Sequence, residues 1–273
     1  MQKKIEKDNY IFLYLKYIIN TFLKKFDLKL TKNSVYCKLL KNNKEYDQKF
    51  LNLMKNSRFL FNIIKFLPYS ESELRQDLFV LNETNFKRNG YFVEFGLGDG
   101  KHVSNTYLLE KKFSWKGIVS EPAKIFHNKI KKNRRSHFEK LIIWKDSNVD
   151  LIFKETLIPE TSCIKDLYDI DDNKYYRKNG KEYSVKTISL NDLLKKYKFP
   201  KNIDYLSIDT EGSELDILST FNFNYYNFKV ITVEHNYNKN RKKIYKLLNK
   251  NGYSLKYKNL TAHDDWYINN SVI

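Results

Sequence analysis

The run Tyr91-Phe92-Val93-Glu94-Phe95 leads straight into Gly96-Leu97-Gly98-Asp99-Gly100. An apolar, β-favouring run that ends in alternating glycines reads as a buried parallel strand closed by a tight turn. Glycine lets the backbone turn sharply and lets a ligand come close. The spacing is Glu-x-Gly-x-Gly-x-Gly. The dinucleotide fingerprint would need a glycine at 101, where Lys101 stands. An acid beside the turn would repel a pyrophosphate and would suit a cation, such as the ammonium of S-adenosylmethionine. Glu94, Gly96, Gly98 and Gly100 are therefore candidate cofactor residues.

The chain continues as a βαβ unit. A helix is expected through Ser104–Glu110, with Asn105 near its start as a further cofactor candidate. Gly117-Ile118-Val119-Ser120-Glu121 reads as a second strand ending in an acid, and Pro122 suits the first turn of the next helix. Glu121 lies about twenty residues past the last glycine, where a strand-end carboxylate accepts the ribose hydroxyls of a nucleoside. Phe138–Trp144 is predicted as a third strand, and Asp146 just beyond it completes the candidate cofactor set. Further strands are predicted at 204–209 and 228–234, with a terminal antiparallel hairpin of 253–258 and 264–268. Ser189 caps a helix that Pro200 stops. Alternating strands and helices predict a doubly wound α/β domain over 70–273. Residues 145–187 form an irregular insertion, placed where a substrate lid would sit.

Residues 1–69 are predicted to be a helical extension. Ile11, Leu15, Ile18, Phe22 and Phe26 recur at helical spacing, with Lys16, Asn20 and Lys24 opposite. Such a basic amphipathic helix packs on the domain or a partner copy, or lies peripherally on a membrane. A second helix is expected over 46–67, and Ser70 with Glu73 forms a capping box for a helix over 74–85. No apolar run reaches the roughly 20 residues of a membrane span. With two cysteines and no visible signal peptide, the expected setting is reducing and cytoplasmic.

The net charge of +18 invites a nucleic-acid reading. Of the 50 basic residues, however, only seven are arginine, the side chain that forks onto phosphates and base edges. The lysines are scattered over the whole chain. A solvated basic surface is the expectation, and nucleic acid is not an expected partner.

The predicted strand ends carry Glu94, Glu121, Asp209, Glu211, Glu234 and His235. Ligands of open α/β sheets bind beyond these ends. So many carboxylates on one rim need positive charge, from a sulfonium and from a divalent metal such as Mg²⁺. Asp209 and Glu234 are the candidate metal ligands. Asp209, Glu211 and His235 are the candidate catalytic groups, His235 for its pKa range.

The stretches QDLFVLNETNFKRNGYFVEFGLGDG, GIVSEPAKIF, IDYLSIDTEGSELDIL, ITVEHN and HDDWYI together resemble the FkbM-type S-adenosylmethionine-dependent methyltransferases, over roughly 70–268. The resemblance implies a class I methyltransferase fold, a mostly parallel seven-stranded sheet with an antiparallel last strand. It also implies O-methylation, with a glycan or glycolipid as the expected acceptor. Gln76-Asp77 match a family pair to which no role is attached. A methyltransferase of nucleic acid or protein is the alternative within enzymes. The turn of base N-methylating enzymes, Asn/Asp-Pro-Pro-aromatic, is replaced here by Asp209-Thr210-Glu211-Gly212. An inactive binding module of the same fold is the remaining alternative. The acceptor sugar and the oligomeric state are not legible.

Overall fold

The computed structural model describes residues 44–258 and 260–271. The amphipathic stretch 11–26 lies outside them. Lys49–Ile273 form one compact unit.

Helices α1 (Lys44–Leu53) and α2 (Leu60–Phe66) replace the single helix expected over 46–67. A pair of turns around Lys55-Asn56-Ser57 separates them, and Pro68 lies in a 3-10 turn that follows. Phe50 packs edge-on to Trp266, and Phe66 against Phe113 at 4.8 Å. Residues 49–69 thus belong to the same compact unit as the strands.

Helix α3 is shorter than expected, Gln76–Glu83. The residue before it is Arg75, in a left-handed conformation, and the capping box does not form. Ser70 Oγ donates instead to Asp77 Oδ1 at 2.6 Å.

The main sheet contains β1 (Tyr91–Phe95), β2 (Lys116–Ser120), β3 (His137–Glu139), β8 (Asn202–Ile208), β9 (Asn227–Glu234), β10 (Tyr253–Lys256) and β11 (Asp264–Asn269). Its order is β10-β11-β9-β8-β1-β2-β3. Neighbouring pairs from β3 to β9 are parallel, whereas β11 runs antiparallel to both β9 and β10. Six strands therefore share a direction and β11 opposes them. This is the mostly parallel sheet with an antiparallel last strand that the sequence led us to expect.

β1 and β8 are central and buried on both faces, which explains their nearly continuous apolar runs. Helices α4 (Tyr107–Phe113), α5 (His127–Asn133), α6 (Leu190–Lys196), α7 (Glu214–Ser219) and α8 (Arg241–Lys250) connect the strands. Ser189 caps α6 as expected, its Oγ accepting from Asp192 N at 3.1 Å. One cluster, including Val93, Leu206, Ile231, Leu218 and Tyr267, fills the core between α6, α7, α8 and the sheet.

The expected third strand is split. Its first half is β3, in the main sheet. Its second half, β4 (Ile142–Trp144), joins a second sheet with β5 (Asp150–Thr156), β6 (Cys163–Ile164) and β7 (Gly180–Ser189), in the order β4-β7-β5-β6. The insertion is thus more regular than its sequence suggested. Its β5–β7 ladder pairs Asp150 with Lys186 through to Thr156 with Gly180. Its outer face mixes Asp150, Ile152, Lys154, Glu182, Ser184 and Lys186, so no clean polar–apolar alternation shows in the sequence. Among the described residues, no helix is long and apolar enough to cross a membrane.

Candidate active site

Strand order reverses between β1 and β8, and the crevice opens at that switch point. Its floor is Phe95, Gly96, Gly98, Ser120, Glu121, Pro122 and Asp209. Its far wall comes from Ile142, Ile143, Phe153, Pro159, Glu160, Ser162 and Ile164 of the second sheet and its turns.

Gly96 is held at φ +70°, and a Cβ on it would stand 1.6 Å from the Asp209 carbonyl oxygen. Gly96→Ala is therefore expected to cost on the order of 3 kcal/mol or more, from overpacking and a strained backbone together. Urea melts would measure it. Gly98 differs. A Cβ there would meet only Phe126, at 3.9 Å, so the space over the turn is open to a ligand. Gly100 lines no part of the crevice and packs on Arg134 and Ile130.

Glu121 reaches into the crevice from the end of β2. Its two oxygens accept from Gly98 N at 3.2 Å and Ala123 N at 2.9 Å. Burial pushes its pKa up to about 8, and Glu155 and Glu160 push the same way. Tyr183 on β7 braces this turn, its hydroxyl donating to Glu155 and accepting from Lys124 N.

Glu94 is not where the sequence reading put it. Its carboxylate is buried away from the crevice and accepts from Ser104 Oγ, Asn105 N, Thr106 Oγ1 and Arg134 Nη1. A buried carboxylate satisfied by four donors has no lone pair to spare for a cofactor ammonium. It fixes the loop before α4 instead, with Arg134 also bridging to Glu110. The Asn105 amide likewise serves Glu94, but its side-chain Oδ1 is buried without a partner. Asp146 is exposed and lines no part of the crevice. The split of the third strand turns the chain so that Ile142 and Ile143 fill that place.

The acid rim lies at the ends of β8 and β9. Asp209, Glu211 and Glu234 each offer an oxygen, all within 4.8 Å of one another. Burial, with mutual repulsion, holds Asp209 and Glu234 well above the usual carboxylate range. Two carboxylates this close need a shared proton or a cation between them. Burial pushes Glu211 to about 7, although the Arg177 guanidinium pulls it down. Asn236 Nδ2 bridges Glu211 and Glu234, at 3.1 and 2.8 Å. Glu214 folds back to accept from Thr210 N, Thr210 Oγ1 and Gly212 N, which fixes the turn carrying Glu211.

The tip of the hairpin also reaches the rim. Asp264 pairs with Glu234 across the ladder, and Gln76 Nε2 donates to Asp264 Oδ2 at 2.8 Å. That gives Gln76 a role: it holds a rim acid from α3. Asp265 faces elsewhere, gripped by Arg241 at 2.7 and 3.0 Å.

His235 is a correction. It follows a rim acid in sequence but its ring is buried behind the rim. Nδ1 accepts from Tyr237 N at 3.0 Å, and Nε2 donates to the Asp264 carbonyl at 3.2 Å. Burial pushes its pKa down to about 4. A neutral ring with both nitrogens engaged has no free lone pair for a substrate proton.

Sequence reasoning placed the insertion over the site without naming its lining residues, and missed Asn236 and Arg177. One signal for Arg177 was present. In a chain this rich in lysine, an arginine marks a place where a planar fork is needed.

Sheet topology and crevice define the class: an open α/β fold with a crevice at its switch point and acids beside it. Comparison with known families agrees. The methyltransferase FkbM domain matches residues 94–255. The chain belongs to that family and is, at that level, an S-adenosylmethionine-dependent methyltransferase. No curated protein matches the chain. Among solved structures, a precorrin-6y C5,15-methyltransferase from Geobacter metallireducens is similar at 12% identity, over 67% of this chain and 72% of that one, with a TM-score of 0.37. A TehB-like SAM-dependent methyltransferase from Corynebacterium glutamicum is similar at 8% identity, over 83% and 97%, with a TM-score of 0.35.

Proposed function

We propose that this chain is an O-methyltransferase that methylates a sugar hydroxyl of a glycan or glycolipid, with the Asp209–Glu234 pair activating that hydroxyl. The observation that carries the reading is the cluster of Asp209, Glu211 and Glu234, whose oxygens lie within 4.8 Å of one another at the crevice.

S-adenosylmethionine, when bound, supplies a methyl group on a positively charged sulfur. The chain's own residues bind and orient. Glu121 accepts from the ribose hydroxyls. Gly98 leaves the turn open to the cofactor, and Gly96 holds that turn against the Asp209 backbone. Asp209 and Glu234 would hold the acceptor hydroxyl beside the crevice. The hydroxyl proton goes to the rim.

A sugar hydroxyl is a weak nucleophile and needs either a base or a Lewis acid. Three oxygen donors from Asp209, Glu211 and Glu234 suit a hard divalent cation such as Mg²⁺. Such an ion would acidify the hydroxyl and replace the proton that the pair otherwise shares. Chelator treatment is expected to abolish methyl transfer and added Mg²⁺ or Mn²⁺ to restore it, read as label passing from S-adenosylmethionine to glycan. Full activity in chelator would leave the carboxylates to act as the base alone.

A further inference from the structure

The insertion carries one buried cation. Arg177 is 0% exposed, and its guanidinium is used on every side. Nε donates to the Thr161 carbonyl at 3.1 Å and Nη1 to the Tyr168 carbonyl at 3.3 Å. Asp171 pairs with both terminal nitrogens, at 3.1 and 3.2 Å. Nη2 then reaches out of the insertion to Glu211 Oε2. We propose that Arg177 is a positioning residue of the acid rim: it holds Glu211 in place for methyl transfer and so ties residues 165–178 to the rim.

The proposal rests on the methyl-transfer reading and deepens it. The turn that Arg177 grips is unusual. Glu211 has φ +55° and Gly212 φ +119°. Ile170 lies so close that a Cβ on Gly212 would stand 2.8 Å from its Cγ2. The insertion therefore touches this turn through both an ion pair and an apolar contact. Asn236 holds Glu211 from the opposite side. Asp209, Glu211, Glu214 and Glu234 crowd one end of the sheet, and Arg177 is the cation that the fold itself supplies to Glu211. Lysine could not replace it. A single ammonium cannot satisfy two carbonyls and two carboxylates lying in different directions, whereas a planar guanidinium can.

Partners of this kind orient the groups that do chemistry, and their loss is felt at the site even when the site residues remain. If Arg177 served only the insertion's own carbonyls and Asp171, Glu211 would be irrelevant to the order of that segment. The two roles separate in a double-mutant cycle on the full chain. Hydrogen exchange and calorimetric titration with S-adenosylhomocysteine are the readouts.

Glu211→Gln is isosteric and lies outside the insertion. It is expected to speed amide exchange across 165–178 by about tenfold or more, the loss expected for one charge-assisted hydrogen bond. Arg177→Met is expected to speed exchange at 210–214 in return. The double variant is expected to exchange no faster, and to bind S-adenosylhomocysteine no more weakly, than the worse single variant. Wild-type exchange of 165–178 in Glu211→Gln, or losses of affinity that multiply in the double variant, would overturn the proposal. Arg177→Lys guards against a folding failure. It is expected to melt as a folded protein yet exchange faster than wild type at both segments, and wild-type exchange at both would overturn the need for the fork. A wild-type chain that binds no S-adenosylhomocysteine would contradict the methyltransferase reading itself, while the exchange cycle would still decide the role of Arg177.

Discussion

Asp209→Asn is expected to bind S-adenosylhomocysteine about as wild type does and to transfer methyl about a hundred- to ten-thousandfold more slowly, the range typical of a lost acid–base or Lewis-acid contribution. The substitution keeps the shape of the side chain. Gly96 packs on the Asp209 backbone, and the Asp209 amide donates to Phe95 O at 3.2 Å, neither of which involves the carboxylate. The cofactor crevice should therefore survive. What is lost is half of the Asp209–Glu234 pair, and with it both the shared proton and the ligand set for a cation. Kinetics with labelled cofactor, beside calorimetry on the same preparation, measure the two effects separately. A fully active Asp209→Asn would move the chemistry to Glu211 or Asp264. It would not move it to His235, whose nitrogens are committed to Tyr237 and Asp264.

Glu121→Ala is expected to weaken cofactor binding about ten- to hundredfold, since a hydrogen bond to a charged group is worth about 1.5–3 kcal/mol. The pH dependence follows from the direction of its shift. Burial raises Glu121 to about 8, so the free protein holds a proton there at neutral pH that an exposed glutamate would have released. Ribose hydroxyls donate to the ionised form. Affinity should therefore rise with pH, by up to about tenfold per unit, and level off above about 8, with a proton released on binding. The same shift means that this site favours the folded, cofactor-free protein at low pH, and the contribution is lost as pH rises from 4.5 through about 8. Titrations in buffers of different ionisation heat would count the proton. PH-independent affinity with no proton released would contradict this assignment.

The legible parts of this chain were those in which backbone and side chain ask for the same thing. The central strand, its glycine turn and the acid ending the second strand were read correctly because a buried parallel strand and a sharp turn each restrict composition strongly. Ser189 and α6 followed for the same reason. The expected capping box at Ser70 failed because tertiary contacts claimed its members. Ser70 went to Asp77, and Glu73 lies 3.8 Å from His263 of the hairpin. Glu94 and His235 were misread for one shared cause. Position at a strand end says that a side chain is near the crevice, but not which way it points. Glu94 found four donors beneath the turn, and His235 found backbone partners behind the rim. The insertion hid its ladder under exposed charge. Arg177 acts on a residue 34 positions away, a pairing that no local pattern carries.

Mass spectrometry of glycans from source cells with and without this chain tests the central claim most directly. The account predicts one sugar lighter by a single methylene in cells that lack the chain. Wild type should restore the mass and Asp209→Asn should not. Identical glycan masses in both cells, with label from S-adenosylmethionine passing to nucleic acid or protein instead, would contradict it.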